Sequence, residues 1–171
     1  MVSLSNHEGG HANLATTSSF DRLRMRSVVG ISSRIANYVD RLPLRSDMRV
    51  LEIGCGPGVA ARLISQRLAT GTVLAIDRSA TAIASAISGS ADEIAAGRLE
   101  FRQSAVEDFA LELSDGLFDL AFAMRVGALD GRHPQLEARA LAAIKAALRP
   151  DGLLLIDDQD ARHGRDLPAF P

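Results

Sequence analysis

Residues 50–58 read Val-Leu-Glu-Ile-Gly-Cys-Gly-Pro-Gly, a short apolar run followed by three glycines at alternate positions. The apolar run predicts a buried β-strand, and the glycines predict a sharp turn from that strand into a helix. An amphipathic stretch follows from Val59 to Leu68, and Gly71 closes it. The segment therefore predicts a strand–turn–helix unit whose turn lets a ligand approach the backbone closely.

The same alternation of strand and helix continues along the chain. Further apolar runs predict strands at 72–76, 99–102, 118–123 and 153–156, and helical patterns cover 20–42, 80–87, 91–96 and 135–148. Nearly continuous apolar strands separated by helices are typical of a parallel sheet that is buried on both faces. The predicted fold class is therefore α/β, a doubly wound, mainly parallel, Rossmann-like sheet of about five strands.

Length and composition favour one globular domain. The chain has 171 residues, of which 47% are hydrophobic and 23% charged, so we expect a single packed core. Residues 1–20 are polar and without periodicity, which predicts a flexible N-terminal arm. We place one domain at residues 21–160 and a C-terminal tail at 161–171.

Charge and cysteine content exclude several classes of function. The net charge is −2, which gives no electrostatic basis for binding nucleic acid. The single cysteine, Cys55, cannot form an internal disulfide, and a metal site is not expected. No apolar run is long enough to span a membrane and the chain starts with a polar segment, so we expect a cytoplasmic protein.

The spacing of the glycines after the first strand narrows the choice of ligand. A dinucleotide-binding turn requires a glycine at position 59, which is Val59 here. Pro57 also removes a backbone donor that a diphosphate would use. No Gly-Lys-Ser/Thr sequence follows, so the turn is not a P-loop.

Four stretches of the chain, in the same order, resemble class I S-adenosylmethionine-dependent methyltransferases, specifically the small methyltransferase-domain group with an E-x-G-x-G-x-G motif. They are residues 50–58, 75–79, 118–122 and 148–156. The resemblance covers roughly residues 25 to 158. It implies S-adenosyl-L-methionine as the cofactor and methyl transfer by direct displacement, which needs no covalent intermediate and no metal. The charge disfavours nucleic acid as the acceptor and leaves protein substrates open, and a small-molecule acceptor is the default expectation.

The resemblance also implies roles for individual residues. The carboxylate of Asp77 would accept hydrogen bonds from both ribose hydroxyls, although an aspartate at a strand end is also common in turns. Glu52 would face the cofactor's ammonium group, or alternatively pair with a nearby arginine. The predicted cofactor-binding residues are Glu52, Gly54, Cys55, Gly56, Gly58, Asp77, Arg78, Ser104, Ala105, Val106 and Met124.

Some positions leave alternatives open. Ser104 stands where relatives usually carry an aspartate that bonds the adenine amino group. Arg125 could hold an acidic substrate or pair with Asp130. The catalytic residues are unknown from the sequence. The candidates for a general base, which only a weakly acidic acceptor would need, are His133, His163, Asp157 and Asp158.

The end of the chain raises a structural question. The family's fold adds a helix and two strands after the fifth strand, whereas residues 160–171 are polar and contain Pro168 and Pro171. We expect no strand there and an exposed edge at the fifth strand, which the N-terminal arm, the tail or a second copy would cover. A homodimer through this edge is the arrangement we favour. The alternative function is a non-catalytic S-adenosylmethionine-binding domain, or the partner subunit of a methylating complex.

Overall fold

The computed structural model describes residues 32–169, which form a six-stranded sheet covered by helices. In chain order the elements are α1 Ser33–Arg41, β1 Arg49–Ile53, α2 Val59–Ser65, β2 Thr72–Asp77, α3 Ala80–Ser88, α4 Ala91–Ala95, β3 Leu99–Gln103, β4 Phe118–Ala123, α5 Pro134–Ala147, β5 Leu148–Ile156 and β6 Arg162–His163. The strand order is β3-β2-β1-β4-β5-β6. Strands β1 to β5 are parallel and β6 is antiparallel to β5, which confirms the predicted doubly wound α/β class.

Alternate residues of each central strand enter two separate cores. In β1, Val50 packs with α1 and α2 on one face, while Leu51 packs with α5 on the other. Both side chains are fully buried, as the pleat of a strand covered on both faces requires. The uninterrupted apolar runs in the sequence follow directly from this two-sided burial.

The strand order fixes where a ligand can bind. The chain winds outward from β1 through β2 to β3, and then returns to the other side of β1 with β4. The loops that leave β1 and β4 therefore diverge to opposite faces and open a crevice at the carboxyl ends of these strands. The glycine turn of residues 54–58 lies at this end of β1.

The carboxyl-terminal residues correct one expectation from the sequence. Arg162 and His163 form β6 and pair with Leu154 and Leu153 of β5, so the expectation that residues 160–171 form no strand is wrong. Leu167 is buried in the core beside α5, and the Lys145 amine donates to its carbonyl oxygen. The prolines did not prevent the strand because β6 ends before Pro168.

Strand β5 also begins earlier than predicted. Residues 149–152 read as a turn, yet they lie within β5, and the pairing register with β4 shifts between Phe118 and Leu120. A proline lacks an N–H donor and is tolerated in a sheet at such an irregularity. The turn-forming residues therefore produce a bulge in the strand rather than a separate loop.

The homodimer stays a prediction. Strand β6 already covers β5 at two positions, so pairing of two copies would have to use β6 or the uncovered end of β5. Light scattering at micromolar concentration is the measurement that tests it: a dimer mass supports the prediction, and a monomer mass contradicts it.

Some sequence predictions lie outside the described residues. These are the N-terminal arm at 1–20 and the part of the first helix at 20–31, whereas α1 falls within the predicted span. Within residues 32–169, no helix has the length and apolar character that crossing a bilayer requires.

Candidate functional site

The turn after β1 has an unusual backbone. Gly54, Gly56 and Gly58 have φ values of +72°, +52° and +72°, a region that side chains with a Cβ atom rarely adopt. The N–H groups of Gly54 and Cys55 both donate to the carbonyl oxygen of Ile76 in β2, at 2.8 and 3.0 Å. The turn is therefore held against β2.

Gly54 also makes a close approach that a larger residue would block. A Cβ atom there would lie 2.7 Å from Cγ2 of Val126. We expect Gly54→Ala to lower the free energy of unfolding by roughly 2 kcal/mol, because it adds a steric clash to backbone strain. Gly97→Ala is the matched control, since Gly97 has φ +68° with open space around it. Urea unfolding should show a loss of stability in both variants, and cofactor titration should show a loss of affinity in Gly54→Ala alone. Equal losses of affinity in the two variants would contradict the placement of Gly54 in the cofactor site.

Asp77 lies at the end of β2 and faces the glycine turn. Its Oδ2 accepts a hydrogen bond from the Gly56 N–H at 2.9 Å, and its Oδ1 accepts one from the Ser79 N–H at 2.8 Å. A carboxylate has about four acceptor positions, so each oxygen keeps capacity for a second donor. Asp77 is therefore both a turn residue and an available acceptor.

Two cavities meet at the glycine turn. Cavity A, of about 280 Å³, lies beside β2 and the loop after β3, and residues 125–128, Arg132, His133 and Leu136 form its opposite wall. Cavity B, of about 180 Å³, lies between the glycine turn and α1. Gly54 lines both cavities. They occupy the crevice at the carboxyl ends of β1 and β4, as the strand order requires.

Ten of the eleven predicted cofactor-binding residues line these cavities. Cavity A is lined by Gly54, Asp77, Arg78, Ser104, Ala105 and Val106, and cavity B by Glu52, Gly54, Cys55, Gly56 and Met124. Gly58 lines neither: a Cβ atom there would lie 2.7 Å from the ring of Phe101. The geometry gives Gly58 a packing role, and its contact with a cofactor stays a prediction.

Glu52 is an almost completely buried acid. It is 2% exposed, and its Oε2 has no hydrogen-bond partner. Burial raises the pKa of Glu52 to about 8, although the Ala61 N–H and the charge of Arg62 favour the ionised form. No arginine within residues 32–169 forms an ion pair with it. The predicted alternative of a structural ion pair is therefore not observed there, and a cationic ligand in cavity B would supply the missing partner.

Arg34 of α1 completes cavity B. The cavity thus offers one carboxylate, from Glu52, and one guanidinium, from Arg34. Once a bound ammonium group favours the ionised form of Glu52, these two groups complement a free α-amino acid group, which carries an ammonium and a carboxylate. The sequence analysis missed Arg34, because nothing in the helical pattern of α1 indicates which side chain reaches the end of β1.

Cys55 is buried, and burial raises the pKa of its thiol, with the nearby acids Glu52 and Asp77 adding to the effect. Since the thiolate is the nucleophilic form of cysteine, this environment does not favour a catalytic thiol. Cys55 instead forms part of the wall of cavity B.

The neighbours of Arg125 bear on one of its two predicted roles, the ion pair with Asp130. Asp130 pairs with Arg132 at 2.7 Å, so the alternative in which Arg125 pairs with Asp130 is wrong. Arg125 has φ +57° and Asp157 has φ +47°, and the Arg125 N–H donates to Oδ1 of Asp157 at 2.8 Å. Strained backbone of this kind is often found at functional sites.

The four candidate bases do not lie together. His133 lines cavity A, while Asp157 and Asp158 lie after β5 on a third cavity beside Arg125. His163 is on β6, where its Nδ1 lies 3.3 Å from the carbonyl oxygen of Asp151 at the amino-terminal half of β5. His163 is therefore away from the crevice. Among the described residues, no group of His, Cys, Asp and Glu is placed to hold a metal ion.

Comparison with known proteins agrees with this geometry. A family model described as a methyltransferase domain matches residues 44–169. Trans-aconitate 2-methyltransferase of Variovorax paradoxus is 33% identical over 122 residues, which are 71% of this chain and 42% of that protein. The chain therefore spans less than half the length of this relative.

Solved structures with the same fold include two of differing chemistry. The crystal structure of the [4+2]-cyclase SpnF has 27% identity and a TM-score of 0.57, over 71% of this chain and 43% of that one. Phosphoethanolamine N-methyltransferase 2 of Haemonchus contortus, solved in complex with S-adenosyl-L-methionine, has 24% identity and a TM-score of 0.60, over 72% of this chain and 27% of that one. With the family model covering most of its length, the chain belongs to the methyltransferase-domain family of class I S-adenosylmethionine-dependent methyltransferases.

Proposed function

We propose that this protein binds S-adenosyl-L-methionine across cavities A and B and transfers its methyl group to a small-molecule acceptor. The observation that carries the proposal is the pair of cavities that both have Gly54 in their walls, with Asp77 lining one and Glu52 and Arg34 lining the other. S-adenosyl-L-methionine is a nucleoside linked to an amino acid, so its two parts match the polar groups of the two cavities.

The residues of each cavity fit one part of the cofactor. In cavity A, the spare acceptor positions of Asp77 suit the two ribose hydroxyls, and the segment from Ser104 to Val106 would hold the adenine. Ser104 already donates its hydroxyl to the Ala105 carbonyl oxygen at 3.0 Å. In cavity B, Glu52 suits the ammonium group and Arg34 the carboxylate, and each would gain a charged partner.

The role of the chain's own residues in the reaction is alignment. When bound, the cofactor supplies a methyl group already activated on a sulfonium, so the protein has to bind, orient and exclude water. Two residues directly after β4 line the cavities: Met124 lines cavity B and Arg125 lines cavity A. Because the methyl group would already be activated on the cofactor, the site needs no nucleophilic side chain.

Calorimetric titrations with four ligands and a methyl-transfer assay test the proposal. Calorimetry should detect S-adenosylmethionine and S-adenosylhomocysteine but neither NAD nor ATP. Transfer of a labelled methyl group would then be followed with trans-aconitate, the substrate in the name of the Variovorax paradoxus relative, and with a metabolite extract. Binding without transfer would favour the alternative, a cofactor-binding domain or a subunit of a larger complex, and no binding would contradict both.

A further inference from the structure

A third cavity, which we call cavity C, lies between α1 and the residues that follow β4 and β5. It has a volume of about 310 Å³ and is lined by Arg34, Tyr38, Arg41, Met124, Arg125 and residues 157–158. It shares Arg34 and Met124 with cavity B, and Arg125 with cavity A. A molecule in cavity C would therefore touch the same wall residues as a ligand in A and B.

Cavity C offers a positively charged group to an anion even when Arg34 is paired with the carboxylate of the cofactor. Its walls hold three guanidinium groups and two carboxylates. Arg41 and Asp158 pair at 2.9 Å, and Oδ1 of Asp157 is already bonded to a backbone N–H. Within residues 32–169, no carboxylate pairs with the guanidinium of Arg125. The cavity therefore has a cationic group available for an anion.

The hydroxyl of Tyr38 is a second group without a partner. Tyr38 is 8% exposed, its ring lies 6.0 Å from that of Phe122, and its Oη is buried without a hydrogen bond. Burial, followed by the charges of Asp157 and Asp158, raises the pKa of Tyr38 to about 12. The phenol thus stays protonated at neutral pH and is available as a donor. A buried hydroxyl without a partner destabilises a fold, which a bound acceptor would relieve.

We propose that cavity C is the acceptor subsite and that it selects a carboxylate-bearing molecule, with Arg125 pairing with the carboxylate and Tyr38 donating a hydrogen bond to it. The inference rests on the proposed function, because it places this subsite beside the cofactor. A carboxylate is ionised at neutral pH, so its oxygen needs no general base. The oxygen lone pair forms the new O–CH₃ bond, the bonding pair of the S–CH₃ bond stays on sulfur, and no proton moves; the product is a methyl ester.

The test uses the full chain loaded with S-adenosylhomocysteine, with succinate and citrate as probes and uncharged succinamide as the control ligand. We expect both carboxylates, but not succinamide, to bind in NMR titrations. Tyr38→Phe should weaken carboxylate binding about tenfold, and Arg125→Gln at least as much. Tyr38→Phe should bind S-adenosylhomocysteine within about twofold of the unaltered protein, because Tyr38 lines neither cavity A nor cavity B. Arg45→Gln, which alters an exposed arginine outside the three cavities, is the control variant.

Thermal unfolding separates a binding role for Tyr38 from a structural one. Since the hydroxyl has no partner, the Tm of Tyr38→Phe should equal or exceed that of the unaltered protein. A lower Tm, equal binding of succinamide, or carboxylate affinities that neither variant changes would overturn the inference. Failure of the unaltered protein to bind S-adenosylhomocysteine would instead overturn the proposed function.

Discussion

Replacing Asp77 by alanine is expected to lower the affinity for S-adenosylmethionine and S-adenosylhomocysteine at least about a hundredfold. The carboxylate would provide two hydrogen bonds to the ribose hydroxyls from a cavity wall, and bonds that involve a charged group are worth about 1.5–3 kcal/mol each. A loss of about 2.7 kcal/mol corresponds to a hundredfold change in Kd. Isothermal titration calorimetry measures the effect directly.

A second variant tests the charge of Asp77 with the size of its side chain preserved. Alanine also removes the acceptors of the Gly56 and Ser79 N–H groups, whereas Asp77→Asn keeps the size of the side chain and one oxygen. We expect Asp77→Asn to lose about tenfold in affinity. Unchanged affinity in this variant would contradict the role of the charge.

Ser79→Ala is the matched control for damage to local structure. The Ser79 hydroxyl accepts the Ala82 N–H at 3.2 Å and caps α3, so its loss should cost about 1 kcal/mol of stability. Its side chain lines neither cavity A nor cavity B, and we expect cofactor affinity to stay within about twofold. A loss of affinity as large as that of Asp77→Ala would show that Asp77 acts through the turn alone.

The bounds of the strands that carry the site could be predicted from the points at which their apolar runs begin and end. β1 and β4 begin and end where the sequence indicated, at Arg49–Ile53 and Phe118–Ala123. Both are buried on two faces, so apolar runs outline them completely. β6 could not be predicted, because a two-residue strand has no periodicity and is held by its pairing with Leu153 and Leu154 of β5.

The cofactor side of the site was predicted better than the acceptor side for a similar reason. Gly54, Glu52 and Asp77 follow strands at fixed positions, so topology alone brings them together. The acceptor side depends on residues that only packing brings together: Arg34 and Tyr38 of α1, and Arg125 in a strained turn. Neither the packing of α1 nor this turn leaves a local pattern in the sequence. The Arg125–Asp130 alternative failed because Arg132, two residues from Asp130, pairs with it instead.

The apo protein should lose stability as the pH rises through the neutral range, and Glu52 is the cause we expect. Burial raises the pKa of Glu52 from 4.5 to about 8 in the folded protein. Above about pH 5 the unfolded chain therefore binds fewer protons than the folded one, and the free energy of unfolding falls until the pH passes about 8. Each pKa unit is worth about 1.4 kcal/mol, so the total loss is on the order of 5 kcal/mol. Because other groups titrate in the same range, the measurement is the difference between the unaltered protein and Glu52→Gln in urea unfolding from pH 5 to 9.

The same acid should make cofactor binding release a proton. At pH 7 the buried carboxyl of Glu52 is mostly protonated, whereas an ammonium group beside its unpartnered Oε2 would favour the ionised form. Titrations with S-adenosylmethionine in buffers of different ionisation enthalpy should show a release that approaches about one proton, which Glu52→Gln should abolish while weakening binding about tenfold or more. The cofactor's own amine is already mostly protonated at pH 7, so it takes up little further proton and the difference between the two proteins reports chiefly on Glu52. An identical proton release in both would mean that the ammonium group binds elsewhere, and Glu52 would then be a buried neutral acid of the core.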